Sequence, residues 1–148
     1  LDGRDPSALT AAAEAVLAWA DEHAADAASI AFLGFSQGGA MSLQLLRLAP
    51  ERVTFAVNLS GYAAGGELPG DAVLAETRPP VFWGRGSADE VIPESAIAHT
   101  AEWLPEHSEL IGRIYPGMGH SVSQEELTDL HHFLTLRYAA PTTAAPAS

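Results

Sequence analysis

Residues 34–38 read Gly-Phe-Ser-Gln-Gly, between an apolar, strand-like run at 29–35 and a helix-like run at 39–48. This is the pattern G-x-S-x-G in the order strand, sharp turn, helix, which is the setting of a nucleophile elbow. Such a turn brings its flanking positions so close together that side chains there would collide, so glycine is expected at both. The strained turn raises a serine hydroxyl above the end of the sheet, and Ser36 is therefore the candidate nucleophile.

A serine hydroxyl is a weak nucleophile at neutral pH and needs a histidine base that is oriented by a carboxylate. The strand-like run 80–83 leads into a turn-rich loop that holds Asp89, the candidate acid, with the neighbouring Glu90 as its alternative. The run 110–115 leads into a glycine-flanked loop that holds His120, the candidate base. Because ligands of open α/β sheets bind beyond the carboxyl ends of the strands, we expect the three loops to converge.

Each of these residues also has an ordinary structural interpretation: a serine in a tight turn, an aspartate that caps a helix, or a packing histidine. His120 differs from the other histidines because it alone lies in a glycine-flanked loop after a strand. The competing histidines are His99, His107, His131 and His132. Neither H-x-x-x-H nor H-E-x-x-H spacing occurs, so the sequence predicts no metal site and no cofactor.

Further candidates flank the same three loops. The backbone N–H of Gln37, directly after the candidate nucleophile, is the predicted oxyanion-hole donor. Candidate substrate-binding residues lie in the Gly/Pro-rich segment after the run 53–59 and beside the candidate acid. They are Ser60, Gly61, Tyr62, Val91 and Ile92.

Helix-like and strand-like segments alternate along the chain, which indicates a doubly wound parallel sheet. Helices are predicted at 6–23, 37–48, 94–103 and 124–138, with a short one near Ala72, and strands at 29–35, 53–59, 80–83 and 110–115. Phe82 and Trp83 are predicted core residues, and Met41 is expected to pack beneath the elbow.

Three segments together carry a family resemblance. Residues 34–41 read G-F-S-Q-G-G-A-M, residues 86–93 read G-S-A-D-E-V-I-P, and residues 115–120 read Y-P-G-M-G-H. They resemble the carboxylesterase/phospholipase branch of the α/β-hydrolases, which includes the acyl-protein thioesterases. The resemblance covers about 29–136 and implies hydrolysis of a small-molecule carboxylic ester or thioester, with Ser36, Asp89 and His120 as the catalytic triad.

One part of the family pattern is absent. Members normally have several strands before the elbow strand, one of which ends in an H-G-G-like loop that supplies half of the oxyanion hole. Residues 5–25 instead show the spacing of an amphipathic helix. We therefore expect the C-terminal part of an α/β-hydrolase fold at 1–138, a parallel sheet flanked by helices, followed by a disordered Ala/Pro/Thr tail at 139–148. The apolar sheet edge left by the missing strands is expected to pair with the missing N-terminal segment, a second copy or another chain.

Composition excludes some classes of partner. The net charge is −12, with seven arginines and no lysine, which disfavours nucleic acid and anionic membranes. Cysteine is absent, which rules out disulfides and thiol ligands and fits a cytoplasmic location. No apolar run has the length of a membrane span, so membrane insertion is not expected.

The leading functional hypothesis is a serine hydrolase that works by acyl transfer. His120 would take the proton of Ser36, and Asp89 would hold the imidazole. Two alternatives stay open from the sequence: a serine peptidase of the same fold, which shares this chemistry, and a non-catalytic fragment that binds a partner or ligand.

Overall fold

Four strands and five helices alternate along residues 5–138, the part of the chain that this computed structural model describes. The strands are β1 (Ile30–Phe35), β2 (Val53–Leu59), β3 (Pro80–Gly86) and β4 (Glu109–Tyr115). The helices are α1 (Pro6–His23), α2 (Gln37–Leu48), α3 (Gly70–Thr77), α4 (Glu94–His107) and α5 (Gln124–Tyr138). The predicted disordered tail at 139–148 lies outside the described residues.

The strands form one parallel sheet in the order β1-β2-β3-β4, so that each strand pairs with its neighbour in the chain. A connection containing a helix joins each pair, as parallel pairing requires. All four carboxyl ends therefore lie along one edge of the sheet, and the loops after β1, β3 and β4 meet there. The predicted parallel sheet flanked by helices is confirmed.

Two predicted boundaries differ from the structure by more than one residue. Strand β3 continues beyond Trp83, because Gly84, Arg85 and Gly86 remain paired with β4. Helix α4 continues to His107, although Pro105 lies in its last turn. A proline this close to the end of a helix costs only one backbone hydrogen bond. The fully buried Leu104 holds this turn against the core. The short helix predicted near Ala72 is confirmed as α3.

The sheet packs unequally on its two faces. One face is covered by α2, α3 and α4, and its buried residues include Leu43, Leu46, Val53, Ala56, Leu74, Val81, Trp83 and Leu104. On the opposite face α5 packs on a smaller cluster made of Phe55, Val57, Leu59, Phe82, Leu130 and Phe133. Burial of each large apolar side chain contributes about 1.5–3 kcal/mol, so both faces contribute to stability.

Strand β1 lies at one end of the sheet and keeps an apolar surface. Leu33 and Phe35 point to the face on which α5 packs, yet 54% and 42% of their surfaces stay exposed. Among residues 5–138 no strand pairs with the outer side of β1. The same residues contain no helix with both the length and the apolar character needed to cross a bilayer.

Candidate active site

The turn between β1 and α2 holds Ser36 in a strained backbone conformation. Its φ is 58° and its ψ is −118°, in a region that residues with a side chain rarely adopt. The backbone N–H of Ser36 donates to the carbonyl of Leu59 at 2.7 Å, which ties the turn to the end of β2. The hydroxyl is thereby presented at the carboxyl edge of the sheet.

Glycine is required on one side of this turn and not on the other. A Cβ on Gly34 would lie 2.0 Å from the carbonyl oxygen of Gly38, which leaves no room for a side chain. A Cβ on Gly38 would meet nothing within 4 Å. The expectation that both flanks need glycine is therefore wrong for Gly38. The second steric requirement falls on Gly39, whose Cβ would lie 2.6 Å from Asn58 Oδ1.

Asp89 is held by the loop that follows β3. Its side chain is 2% exposed, and Oδ1 accepts hydrogen bonds from the backbone N–H groups of Val91 and Ile92 at 2.8 and 3.2 Å. Its other oxygen, Oδ2, lies 2.8 Å from His120 Nδ1. Burial by itself raises the pKa of Asp89, but the hydrogen bonds from His120, Ile92 and Val91 outweigh it and hold this pKa below its usual value. Asp89 is therefore a carboxylate at neutral pH.

His120 joins the other two side chains. Nε2 lies 2.8 Å from Ser36 Oγ, and Nδ1 lies 2.8 Å from Asp89 Oδ2. The ring also packs against Phe35 with centroids 4.9 Å apart, and the side chain is 18% exposed. The structure thus brings all three sequence-predicted residues into one continuous hydrogen-bonded chain, although they lie on three separate loops.

Backbone contacts fasten the loops after β3 and β4 to each other. Ala88 N–H donates to the carbonyl of Met118 at 2.9 Å, and Gly117 N–H donates to Ser87 Oγ at 2.8 Å. A Cβ on Gly86 would lie 2.0 Å from the Met118 carbonyl oxygen, so the two backbones touch directly at this point. This contact fixes the distance between Asp89 and His120.

The alternative candidates lie elsewhere. Glu90 is exposed, and His131 and His132 are exposed on α5. His107 bonds within its own helix, with Nδ1 2.8 Å from the carbonyl of Trp103. His99 lies on α4, where its Nε2 is buried without a hydrogen-bond partner. Within residues 5–138, His, Asp and Glu side chains form no group of three or more that could hold a metal ion.

Gln37 is the first residue of α2. The first N–H groups of a helix have no acceptor within the helix, and the helix dipole makes this end partly positive. The backbone N–H of Gln37 therefore has no acceptor within its helix and follows Ser36 directly in the chain. Its role as an oxyanion donor stays a prediction.

The predicted substrate-binding residues fall into three settings. Ser60 is 1% exposed and anchors two loops, because its N–H donates to the carbonyl of Gly84 at 2.8 Å and its hydroxyl to that of Ser121 at 3.1 Å. Gly61 is also buried. Tyr62 and Ile92 pack in one apolar cluster, against which the partly buried Met41 also packs, and Val91 is 58% exposed. Contact of these five residues with a substrate stays a prediction.

Asn58 is a positioning residue that the sequence analysis missed. It is fully buried in β2, where its Oδ1 accepts from Gly61 N–H at 2.8 Å and its Nδ2 donates to the carbonyl of Tyr62 at 3.4 Å. The same side chain fills the space against Gly39. Its amide thus holds the loop after β2 against the start of α2. The available sequence signal was one amide in an otherwise apolar stretch of strand.

A buried ion pair fixes the far end of that loop. Arg47 is 1% exposed and donates to both carboxylate oxygens of Asp71, at 2.7 and 2.8 Å. It also donates to the carbonyls of Ala64 and Gly66 at 2.9 and 2.8 Å. Burial raises the pKa of Asp71, but the hydrogen bonds from Arg47 outweigh it and keep this pKa below its usual value. Helix α2 therefore holds both the nucleophile turn and this loop.

Known proteins resemble the chain in sequence and fold. Residues 7–138 match the phospholipase/carboxylesterase family. A probable carboxylesterase of Oryza sativa subsp. japonica is 31% identical over 88% of this chain, and acyl-protein thioesterase 1 of Debaryomyces hansenii is 35% identical over 77%. The crystal structure of SOBER1 from Arabidopsis thaliana superposes with a TM-score of 0.75 at 25% identity and covers 90% of this chain.

The matches cover less of the relatives than of this chain. They span 51% of the rice protein, 50% of the yeast protein and 66% of the SOBER1 chain. The chain therefore spans about half the length of the two relatives compared by sequence. The superposition establishes the α/β-hydrolase type of the sheet.

Proposed function

Because this chain belongs to the phospholipase/carboxylesterase family of α/β-hydrolases, we propose that it carries the nucleophile, base and acid of an enzyme that hydrolyses carboxylic esters or thioesters. The observation that carries the proposal is the chain of hydrogen bonds from Ser36 through His120 to Asp89, with both heavy-atom distances at 2.8 Å. Residues 1–138 are the proposed hydrolase domain.

The proposed reaction begins with proton transfer. Asp89 accepts the Nδ1–H of His120, which leaves Nε2 unprotonated and facing the Ser36 hydroxyl. As Ser36 Oγ attacks the carbonyl carbon, its proton passes to Nε2, and the carboxylate of Asp89 stabilises the resulting imidazolium. The same proton then passes to the departing alcohol or thiol, and an acyl-enzyme remains. Water, deprotonated by His120, releases the acid and restores the serine.

The oxyanion of the tetrahedral intermediate needs hydrogen-bond donors. Gln37 N–H supplies one, at the positive end of α2. The family resemblance implies a second N–H from a loop that follows a strand beside β1. The exposed apolar side chains Leu33 and Phe35 support this arrangement, because a further strand and its helix would cover them. Loss of one donor typically lowers the rate about 100- to 1,000-fold, so full activity is proposed for the protein that has both.

A non-catalytic binding role is the second candidate function. It is favoured by one observation: a single backbone donor beside Ser36 is identified among the described residues. The two functions differ in whether the serine is chemically activated. A fluorophosphonate distinguishes them, because it reacts covalently with an activated serine and does not require a complete catalytic cycle.

The test is fluorophosphonate labelling of the purified full chain, read as the mass of the intact protein. We expect one adduct on the parent protein, none on Ser36→Ala, and an unchanged adduct on Ser95→Ala, a control at an exposed serine of α4. Turnover of matched ester and thioester substrates then identifies the preferred bond. A folded parent protein that acquires no adduct would refute an activated Ser36. An adduct without turnover would indicate that turnover requires the second oxyanion donor.

A further inference from the structure

Strand β4 lies at the end of the sheet opposite to β1. Its inner side pairs with β3 along its whole length, from Glu109 to Tyr115. Within the described part of the chain no strand pairs with its outer side. Two of its apolar side chains are exposed, Ile111 at 36% and Ile114 at 58%. An exposed edge with apolar side chains is a ready template for another strand.

The charges of β4 indicate which strand would fit. Side chains alternate between the two faces, so Glu109, Ile111 and Arg113 share the face on which α5 packs. In an antiparallel pairing of β4 with its own copy, centred on Ile111, each Glu109 lies opposite an Arg113. The two isoleucines then lie opposite each other on the twofold axis. Opposite charges directly across a strand pair are stabilising, and this register forms two such pairs.

Neighbouring registers are less favourable. A pairing centred on Gly112 places Arg113 opposite Ile111, which leaves the charges unpaired. A pairing centred on Arg113 places two guanidinium groups opposite each other, which is destabilising. Among pairings of β4 with its own copy, the charges therefore favour one register. Strand β1 carries no charged residue and specifies no such register.

A cavity of about 450 Å³ lies beside β4 on the same face, between the sheet and α5. Its apolar lining includes Phe82, Ile111 and Leu136, and its charged lining includes Asp129 and Arg137. Under twofold symmetry each copy presents both signs of charge and an apolar groove to the other, as an isologous interface requires. Asp129 and Arg137 therefore add charges of both signs beside the exposed strand.

We propose that β4 is a dimerisation edge, which pairs antiparallel with β4 of a second copy in the register that places Glu109 opposite Arg113. The pairing joins two four-stranded sheets into one of eight strands. Because the two copies run in opposite directions, the loops that carry His120 lie at opposite edges of the joined sheet. Both candidate active sites therefore stay open to solvent.

The proposal is tested by sedimentation of the full chain over a concentration series, with charge-reversal variants. The parent protein is expected to dimerise. Glu109→Arg and Arg113→Glu each place like charges opposite each other at two positions, so each should weaken self-association at least about tenfold. The double variant Glu109→Arg/Arg113→Glu restores opposite charges and should dimerise as the parent does. An equimolar mixture of the two single variants should form heterodimers for the same reason.

Both substituted residues are exposed and lie outside the candidate active site, so circular dichroism and fluorophosphonate labelling should be unchanged in every variant. A parent protein that stays monomeric would overturn the proposal. The charges of Glu109 and Arg113 would then be explained as features that protect an edge strand from pairing. A dimer that both single variants preserve would overturn it as well, because the contact would then lie elsewhere. Loss of dimerisation that the double variant does not restore would exclude this register.

Discussion

Gly84 of β3 lies directly against the carboxylate of Glu126 in α5, so closely that a Cβ at position 84 would lie 2.0 Å from Glu126 Oε2. Glu126 is fully buried, and neither of its carboxylate oxygens has a hydrogen-bond partner. The contact lies close to the candidate site, because the carbonyl of Gly84 accepts from the backbone N–H of Ser60 and β3 leads into the loop of Asp89. A buried carboxyl group at this position favours its neutral form.

Replacement of Glu126 by glutamine should stabilise the protein at alkaline pH. Burial, with the charge of Asp129 as a smaller cause, raises the pKa of Glu126 from its ordinary 4.5 to about 7. A raised pKa means that the folded state holds the proton more tightly. This stabilisation is complete below the unfolded-state pKa and is lost as pH rises through the folded-state pKa near 7. Glu126→Gln removes that loss.

The measurement is urea denaturation of the parent protein and the variant at pH values on both sides of this range. The gain in unfolding free energy from Glu126→Gln should be larger at alkaline than at acidic pH. Glu125→Gln, at an exposed neighbour on the same helix, should follow the parent at every pH. Parallel pH profiles for the parent and Glu126→Gln would contradict a raised pKa for this group.

Alanine at Gly34 should be damaging, whereas alanine at Gly38, the other flank of the nucleophile turn, should be tolerated. Gly34→Ala places a Cβ 2.0 Å from a backbone oxygen, so the turn must shift. We expect a loss of about 1–3 kcal/mol in unfolding free energy and little fluorophosphonate labelling. Gly38→Ala meets no atom within 4 Å and lies in the first turn of α2, where alanine is the better helix former. It should keep its labelling and its stability, and a loss equal to that of Gly34→Ala would contradict the geometry.

The fold could be predicted because the residues that end its helices and strands are local signals in the sequence. Glycines and prolines stand where the apolar runs end, so the alternation of helices and strands and the parallel sheet could be predicted. Convergence of the loops of Ser36, Asp89 and His120 follows from parallel topology, since all carboxyl ends share one edge. Their catalytic roles stay a proposal.

The missed features depend on contacts between distant segments. Nothing local to Arg47 or Glu126 indicates a buried side chain, because charged residues are usually exposed. For Asn58 the apolar neighbours in its strand are the only local signal. The residues that enclose them lie on other elements, as Asp71 does for Arg47 and Gly84 does for Glu126. The prediction that Gly38 must be glycine was wrong for a related reason. The motif identifies a tight turn, but which of its glycines faces backbone depends on the packing of distant segments.

Loss of the buried Arg47 should be far more costly than loss of an exposed arginine in an ion pair. Arg47→Met leaves Asp71 without its partner and two loop carbonyls without a donor, and we expect a loss of about 3–5 kcal/mol in unfolding free energy. The matched control is Arg52→Met, because Arg52 pairs with Asp21 at the surface, where the two side chains are 37% and 64% exposed. That substitution should cost about 1 kcal/mol or less.

Thermal and urea unfolding of both variants would compare these two sites. Because Arg47 also fixes the loop at Ala64 and Gly66, a partly destabilised Arg47→Met should lose protection from hydrogen exchange first in this loop. Similar costs for both substitutions would indicate that the Arg47 pair contributes no more than a surface ion pair.

Substitution of Asp89 and of Glu90 decides which carboxylate acts with His120. Asp89→Asn keeps the size of the side chain but removes the charge that stabilises the imidazolium. Because an asparagine amide can donate to Nδ1, the variant also favours the tautomer with its proton on Nε2, which cannot accept the proton of Ser36. We expect the rate of fluorophosphonate labelling of Ser36 to fall by roughly 10³- to 10⁴-fold, as in related triads. Glu90→Gln, at the adjacent exposed residue, should leave the rate within about twofold, the range of an exposed charge that is screened by solvent. Because the pKa of Asp89 lies below its usual value, titration of Asp89 should not change labelling by the parent protein between mildly acidic and neutral conditions. A large loss with Glu90→Gln and none with Asp89→Asn would transfer the acid role to Glu90, and equal small losses would exclude a carboxylate that activates the histidine.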